Sequence, residues 1–131
     1  MPFYYVKFIT RTMMRNLPNT LFCFGDNLAQ VGYGGQAKEM RGEPNAVGIP
    51  TKRKPSRTAP DEFFTDDDYA AVVLIINERF TTVRDHLLNG GDVVWPEDGI
   101  GTGLAELEKR APTIWNHIEN IRIFLESMND D

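Results

Sequence analysis

Three short apolar runs, each cut off by a turn cluster or a proline, set the narrowest limit on how this chain folds. They are residues 20–24 (TLFCF), 45–49 (NAVGI) and 92–95 (DVVW). The first stops at Gly25-Asp26-Asn27, the second at Pro50 and the third at Pro96. Runs this short do not make buried helices, and they lack the apolar–polar alternation of a half-exposed strand. They read as central strands covered on both faces. Residues 3–9, rich in β-branched and aromatic side chains, read as a further strand.

Helical patterns lie between the strands. Residues 11–17 fit a short helix ended by Pro18-Asn19, and residues 36–41 (QAKEMR) are good helix formers closed by Gly42. The clearest helix spans residues 65–88. Thr65 is a candidate N-cap, and Asp66, Asp67 and Asp68 suit the positive end of a helix dipole. Apolar residues then fall at 69, 72, 73, 76, 80, 83 and 87, which places them on one face. A last helix starts near Pro112, with Ile114, Ile118, Ile121, Leu125 and Met128 as its apolar stripe. Asn129-Asp130-Asp131 reads as a fraying tail. Strands alternating with helices predict an α/β domain with helices on both faces of a largely parallel sheet. At 131 residues the whole chain, 1–131, makes one domain.

Two glycine-rich loops follow predicted strands: Gly32-Tyr33-Gly34-Gly35 and Asp98-Gly99-Ile100-Gly101-Thr102-Gly103. If the strands are parallel, both loops share the rim where α/β sheets bind ligands. Glycine lets backbone N–H groups approach an anion closely, and a helix N-terminus behind the loop would add to the attraction. Such a cradle needs few basic side chains. Neither loop carries the Gly-Lys-Ser/Thr of a P-loop or the spacing of a dinucleotide fingerprint. Taken alone, each loop reads equally as a tight turn. Asp26 and Asn27 at a strand end suit contacts to a base edge or ribose, or a self-capping turn. Lys52 and Arg53 open a basic loop over residues 51–60 that also holds Lys54 and Arg57; they suit a phosphate clamp or a solvated surface. Asp98 fits a general base or a plain turn.

Several function classes are excluded. The net charge of -5 leaves no basic footprint for general nucleic-acid binding or for an anionic membrane surface. Cys23 is the single cysteine, and His86 and His117 lie far apart, so neither a disulfide framework nor a transition-metal site is expected. No apolar run approaches the ~18 residues of a membrane span, and the start of the sequence lacks a signal-peptide layout. A cytoplasmic protein without metal or resident cofactor is expected.

The motifs, taken in order over residues 20–120, resemble macro domains. The nearest likeness is to the divergent group containing terminal ADP-ribose protein glycohydrolase. Gly32-Tyr33-Gly34-Gly35-Gln36-Ala37 resembles the glycine turn of that group. Ile49-Pro50-Thr51-Lys52-Arg53 is similar to its Ile-Thr-Lys-Lys segment. Trp95-Pro96-Glu97-Asp98-Gly99-Ile100-Gly101-Thr102-Gly103-Leu104 resembles its Pro-x-Ile-Gly-x-Gly-Leu run. Phe24-Gly25-Asp26-Asn27-Leu28 also resembles the start of small bacterial and phage proteins. The resemblance implies a three-layer α/β/α macro-like fold with a mixed, largely parallel central sheet. It also implies an ADP-ribose-type nucleotide as ligand. Binding residues would be Asp26, Asn27, Gly32, Gly34, Gly35, Gln36, Lys52, Gly99, Ile100, Gly101, Thr102 and Gly103. Lys52 falls on the position of that group's lysine nucleophile. Where the group places an aspartate directly after Gly-Leu, this chain has Ala105 and then Glu106. A hydrolase reading therefore rests on Lys52 with Asp98 or Glu106. The alternatives are a nucleotide-binding module without turnover and an interaction protein that sequesters a nucleotide signal.

Overall fold

The computed structural model describes residues 3–54, 62–103 and 105–130. Arg57 and Leu104 lie outside them. Four strands form one sheet: β1 (Phe3–Val6), β2 (Leu21–Asn27), β3 (Ala46–Lys52) and β4 (Val93–Pro96). Among the described residues five α-helices accompany them: α1 (Arg11–Asn16), α2 (Ala37–Met40), α3 (Tyr69–Leu88), α4 (Leu107–Arg110) and α5 (Pro112–Ser127). The strand order is β1-β4-β2-β3, and each neighbouring pair is parallel. The expected mixed sheet is corrected to this parallel one. Antiparallel geometry among the described residues is confined to an isolated bridge between Lys52 and Phe63.

The unbroken apolar runs are explained by where alternate residues go. Along β2, Phe22 and Phe24 join a core with Met14 of α1 and Ala37 and Met40 of α2. Cys23 between them joins the core formed with α3 and α5. Along β4, Val93 and Trp95 join the α3/α5 core and Val94 the other. Successive side chains of a strand point to opposite sides, so a strand buried on both sides cannot show alternation. Trp95 is fully buried and stacks on Phe80 of α3 with centroids 5.8 Å apart.

The long helix follows its apolar period: Val72, Ile76, Phe80, Val83 and Leu87 are buried. Its start is fixed by a short 3-10 turn, Asp66–Asp68, whose Asp68 carboxylate accepts from the Thr65 N–H at 2.8 Å. Of the tail expected to fray, Asn129 and Asp130 belong to a 3-10 turn, Met128–Asp130, in which Asn129 clasps the outer side of β1, and Asp131 lies outside the described residues. Phe3 N–H donates to Asn129 Oδ1 at 2.6 Å, and Asn129 Nδ2 donates to the Phe3 carbonyl at 2.8 Å. That amide satisfies backbone groups of an edge strand that would otherwise lack partners.

Three strand ends run further than the sequence predicts. β4 takes in Pro96, which read as a stop and pairs with Val6. β2 continues through Gly25, Asp26 and Asn27, which read as a turn, because β3 pairs alongside them. β3 continues through Pro50, which read as a stop. It is an edge strand, and a proline there costs no ladder bond on its open side.

Candidate functional site

β2 and β4 are neighbours for only two residue pairs, Leu21 with Val93 and Phe22 with Val94. Beyond them the chain leaves β2 for α2, on one core, and leaves β4 for α4 and α5, on the other. Adjacent parallel strands whose connections depart in opposite directions leave a crevice at their carboxyl ends. Here it is a cleft of about 220 Å³.

Both glycine loops reach this cleft. Asp26, Asn27, Gly32, Gly34, Gly35, Gln36, Lys52, Gly101 and Gly103 line it, nine of the residues singled out from the sequence. Arg41, Thr51, Val31 and Ala105 join them unforeseen. Gly99 and Ile100 are not lining residues, and Ile100 is fully buried in the core. Thr102 and Glu106 line a separate depression that shares Gly101 with the cleft. Asp98 is exposed and lines neither. The Glu106 carboxylate accepts from Arg110 Nε at 3.1 Å, one turn along. Of the three groups considered for catalysis, only Lys52 stands in the cleft.

Lys52 is buried at the end of β3, with its Nζ 4.4 Å from the centre of the Phe63 ring. The Arg110 guanidinium lies 3.8 Å from the same ring centre. Its neighbour Arg53 grips both oxygens of Asp68 at 2.8 and 2.7 Å, so it ties β3 to the start of α3.

The polar side chains of the cleft mostly hold its loops in place. Gln36 spans the gap where β2 and β4 part: its Oε1 accepts from Gly25 N–H at 2.7 Å, and its Nε2 donates to the Gly99 carbonyl at 3.0 Å. One amide thus joins the first loop to the second. Asn27 Nδ2 donates to the Val31 carbonyl at 2.9 Å, and Thr51 Oγ1 donates to the Asp26 carbonyl at 2.9 Å.

Arg41 is the centre of the arrangement. Its guanidinium grips both oxygens of buried Asp26, and it donates to the carbonyls of Gly32 at 2.6 Å and Val31 at 3.2 Å. A planar fork can satisfy that many acceptors at once, which an ammonium cannot do with the same geometry. Asp26 fits only because β3 carries a glycine diagonally across from it, in register with Phe24. A Cβ on Gly48 would lie 2.6 Å from Asp26 Oδ2 and 2.9 Å from its Cβ. In a sequence reading Arg41 is merely a helix former. The signal that could have found it is the pairing of Asp26 at a strand end with the basic residue closing the next helix.

The loop backbone itself is left with open donors. Among the described residues, the backbone N–H groups of Tyr33, Gly34 and Gly35, and of Gly101, Thr102 and Gly103, enter no backbone–backbone hydrogen bond. Gly101 has φ +82, and a Cβ there would lie 3.0 Å from Leu107, so the second loop requires glycine at its centre. The expected dipole contribution from following helices is corrected. α2 and α4 have four residues each, too few to build a substantial macrodipole, so the loop amides carry any anion binding.

Neither histidine lines the cleft. His117 Nε2 lies 2.7 Å from Asn77 Oδ1 and packs edge-on to Tyr69, while His86 packs over Gly91. Among the described residues no group of three His, Cys, Asp or Glu could hold a metal ion, and no helix is long and apolar enough to cross a membrane.

Residues 4–121 match the model of a family of unknown function, DUF7831, and the chain belongs to that family. No curated protein and no solved structure matches the chain.

Proposed function

We propose that this member of the DUF7831 family binds ADP-ribose or a related nucleotide, with the diphosphate between the two glycine loops. One observation carries the reading: both loops, distant in sequence, converge on one cleft at the strand ends with uncommitted backbone amides. Amides so placed suit an anion without a large basic surface, which agrees with a chain of net charge -5. Lys52 also lines the cleft, while the charge of Arg41 there is paired with Asp26. The two cores on either side of the sheet are consistent with a three-layer, macro-like arrangement. We place the protein in the cytoplasm.

Binding is favoured over turnover. A glycosidic hydrolase needs a general acid or base within hydrogen-bond reach of the reacting atoms. Asp98 and Glu106 lie outside the cleft, and Asp26 within it is engaged by Arg41. A protein that binds without turnover would sequester its nucleotide. Lys52 in the cleft is the feature that favours the hydrolase alternative, and Lys52→Ala would abolish any turnover that depends on it.

The test is calorimetry and thermal shift with ADP-ribose, NAD, ADP and AMP on the wild type and on Gly103→Val. Gly103 lines the cleft, has an ordinary φ, and a Cβ there meets nothing within 4 Å. The valine should therefore add bulk to the cleft lining without disturbing the fold. A ligand at ~100 times its Kd should stabilise the wild type by about 2.7 kcal/mol, and the variant should lose that shift. Absence of binding by every nucleotide at millimolar concentration overturns the proposal.

A further inference from the structure

The loop that leads into the first glycine turn carries three apolar side chains in the open. Leu28 is 38% exposed, Val31 51% and Tyr33 67%. Its backbone is pinned on both sides. Leu28 N–H donates to the Lys52 carbonyl at 2.9 Å, Gln30 N–H to the Asn27 carbonyl at 3.1 Å, and Asn27 and Arg41 hold the carbonyls of Val31 and Gly32. The exposed side chains therefore stand on a ledge whose backbone is held as far as Gly32. Val31 itself lines the cleft, and Tyr33 sits between two lining glycines, Gly32 and Gly34.

The ledge is also uncharged. Residues 28–35 read LAQVGYGG, in a chain whose residues are 25% charged. A neutral, aromatic-bearing surface at the mouth of an anion cradle matches a flat, neutral ring tethered to a phosphate. We infer that the ledge is a base-stacking platform and that the ligand's nucleobase lies on Tyr33 at the cleft rim. This inference rests on the nucleotide reading of the cleft and adds its specificity. Stacking engages the face of a ring, and every base has a face. The ledge residues named here offer no charged side chain to read a base edge. The site should thus select ligands that carry a base over those that do not, and discriminate weakly among bases.

The experiment measures ADP-ribose, GDP-ribose and ribose 5-phosphate by calorimetry on the wild type, Tyr33→Ala and Tyr33→Phe. Because Tyr33 is exposed, neither variant should lose the fold, and melting temperature checks this. Tyr33→Ala should weaken ADP-ribose about tenfold, within the range for losing one base–aromatic stack. It should leave ribose 5-phosphate unchanged. Tyr33→Phe should stay within about twofold of the wild type, since it keeps the ring. ADP-ribose and GDP-ribose should differ by less than about fivefold, as stacking is tolerant of base identity. An equal loss for ADP-ribose and ribose 5-phosphate would overturn the platform and make Tyr33 a loop-shaping residue. No loss for ADP-ribose would place the base elsewhere. Failure of the wild type to bind any of the three would overturn the nucleotide site itself, a result distinct from the other two.

Discussion

Replacing Gly48 by alanine should destabilise the protein, against the ordinary preference of strands. Within a strand, Gly→Ala normally gains about 0.5–1 kcal/mol because the unfolded chain loses freedom. At Gly48 the new methyl would sit 2.6 Å from Asp26 Oδ2, 2.9 Å from Asp26 Cβ and 3.1 Å from its Cγ. Rotating the carboxylate away relieves only part of this, because the Cβ of Asp26 moves only with β2 itself. Overpacking of this kind costs about 1–3 kcal/mol, which exceeds the propensity gain. If Asp26 shifts far enough to release Arg41, the buried Asp26 carboxylate loses its half-buried partner, and the cost rises towards about 3–5 kcal/mol. Urea unfolding of Gly48→Ala beside Gly103→Ala isolates the effect. A Cβ at Gly103 meets nothing within 4 Å, so that control should stay within about 0.5 kcal/mol of the wild type. Nucleotide affinity should fall in Gly48→Ala too, since Arg41 fixes the carbonyls of Val31 and Gly32. A Gly48→Ala protein as stable as the wild type, or more so, would refute the reasoning that Asp26 and Gly48 interlock.

Two further outcomes follow from buried or paired groups. Burial pushes the Cys23 thiol up to about 12, so native protein should resist iodoacetamide at mildly alkaline pH and react fully in urea. Rapid labelling of the native state, read by mass spectrometry, would contradict that burial. For Asp68, desolvation alone would raise the carboxyl. The Arg53 hydrogen bonds, the Thr65 N–H and the Arg53 charge outweigh it and hold the group below its ordinary range. The unfolded state then takes up the proton first as pH falls. Its contribution is complete above the unfolded value of about 3.9 and is lost as pH falls through the lower folded value. The stability gap between wild type and Asp68→Asn, measured by denaturation, should narrow below about pH 4. A gap that stayed constant down to about pH 2 would sink this account.

Much of the fold is legible in the sequence because its signals are local and repeated. The α3 period from Val72 to Leu87, Pro112 at the start of α5 and the unbroken runs of β2 and β4 each name their element. What escapes the sequence depends on neighbours. Pro50 belongs to a strand because β3 is at the sheet edge, and Gly25-Asp26-Asn27 extend β2 because β3 runs beside them. In the cleft, glycines are visible as glycines, and the two loops meet as their positions after strands imply. The roles of Arg41 and Gln36 are not visible. Arg41 acts on a carboxylate 15 positions away, and Gln36 reaches a carbonyl 63 positions away. Glu106 and Asp98 enter the hydrolase reading through the resemblance, as stand-ins for an aspartate this chain lacks, and neither lines the cleft. The left-handed turn at Glu106, φ 46, instead opens α4, where its carboxylate meets Arg110.

Every partner of β1 arrives from far along the chain. Phe3 pairs with Val93 on one side and is clasped by Asn129, 126 positions away, on the other. Closing loops of that size costs entropy before any contact rewards it, so β1 is expected to join after β2 and β3 have already met. Contacts made after the rate-limiting step leave the folding rate alone and slow the reverse reaction. On that order of events the side-chain amide of Asn129 should act as a brake on unfolding, lengthening the life of the native molecule without hastening its formation.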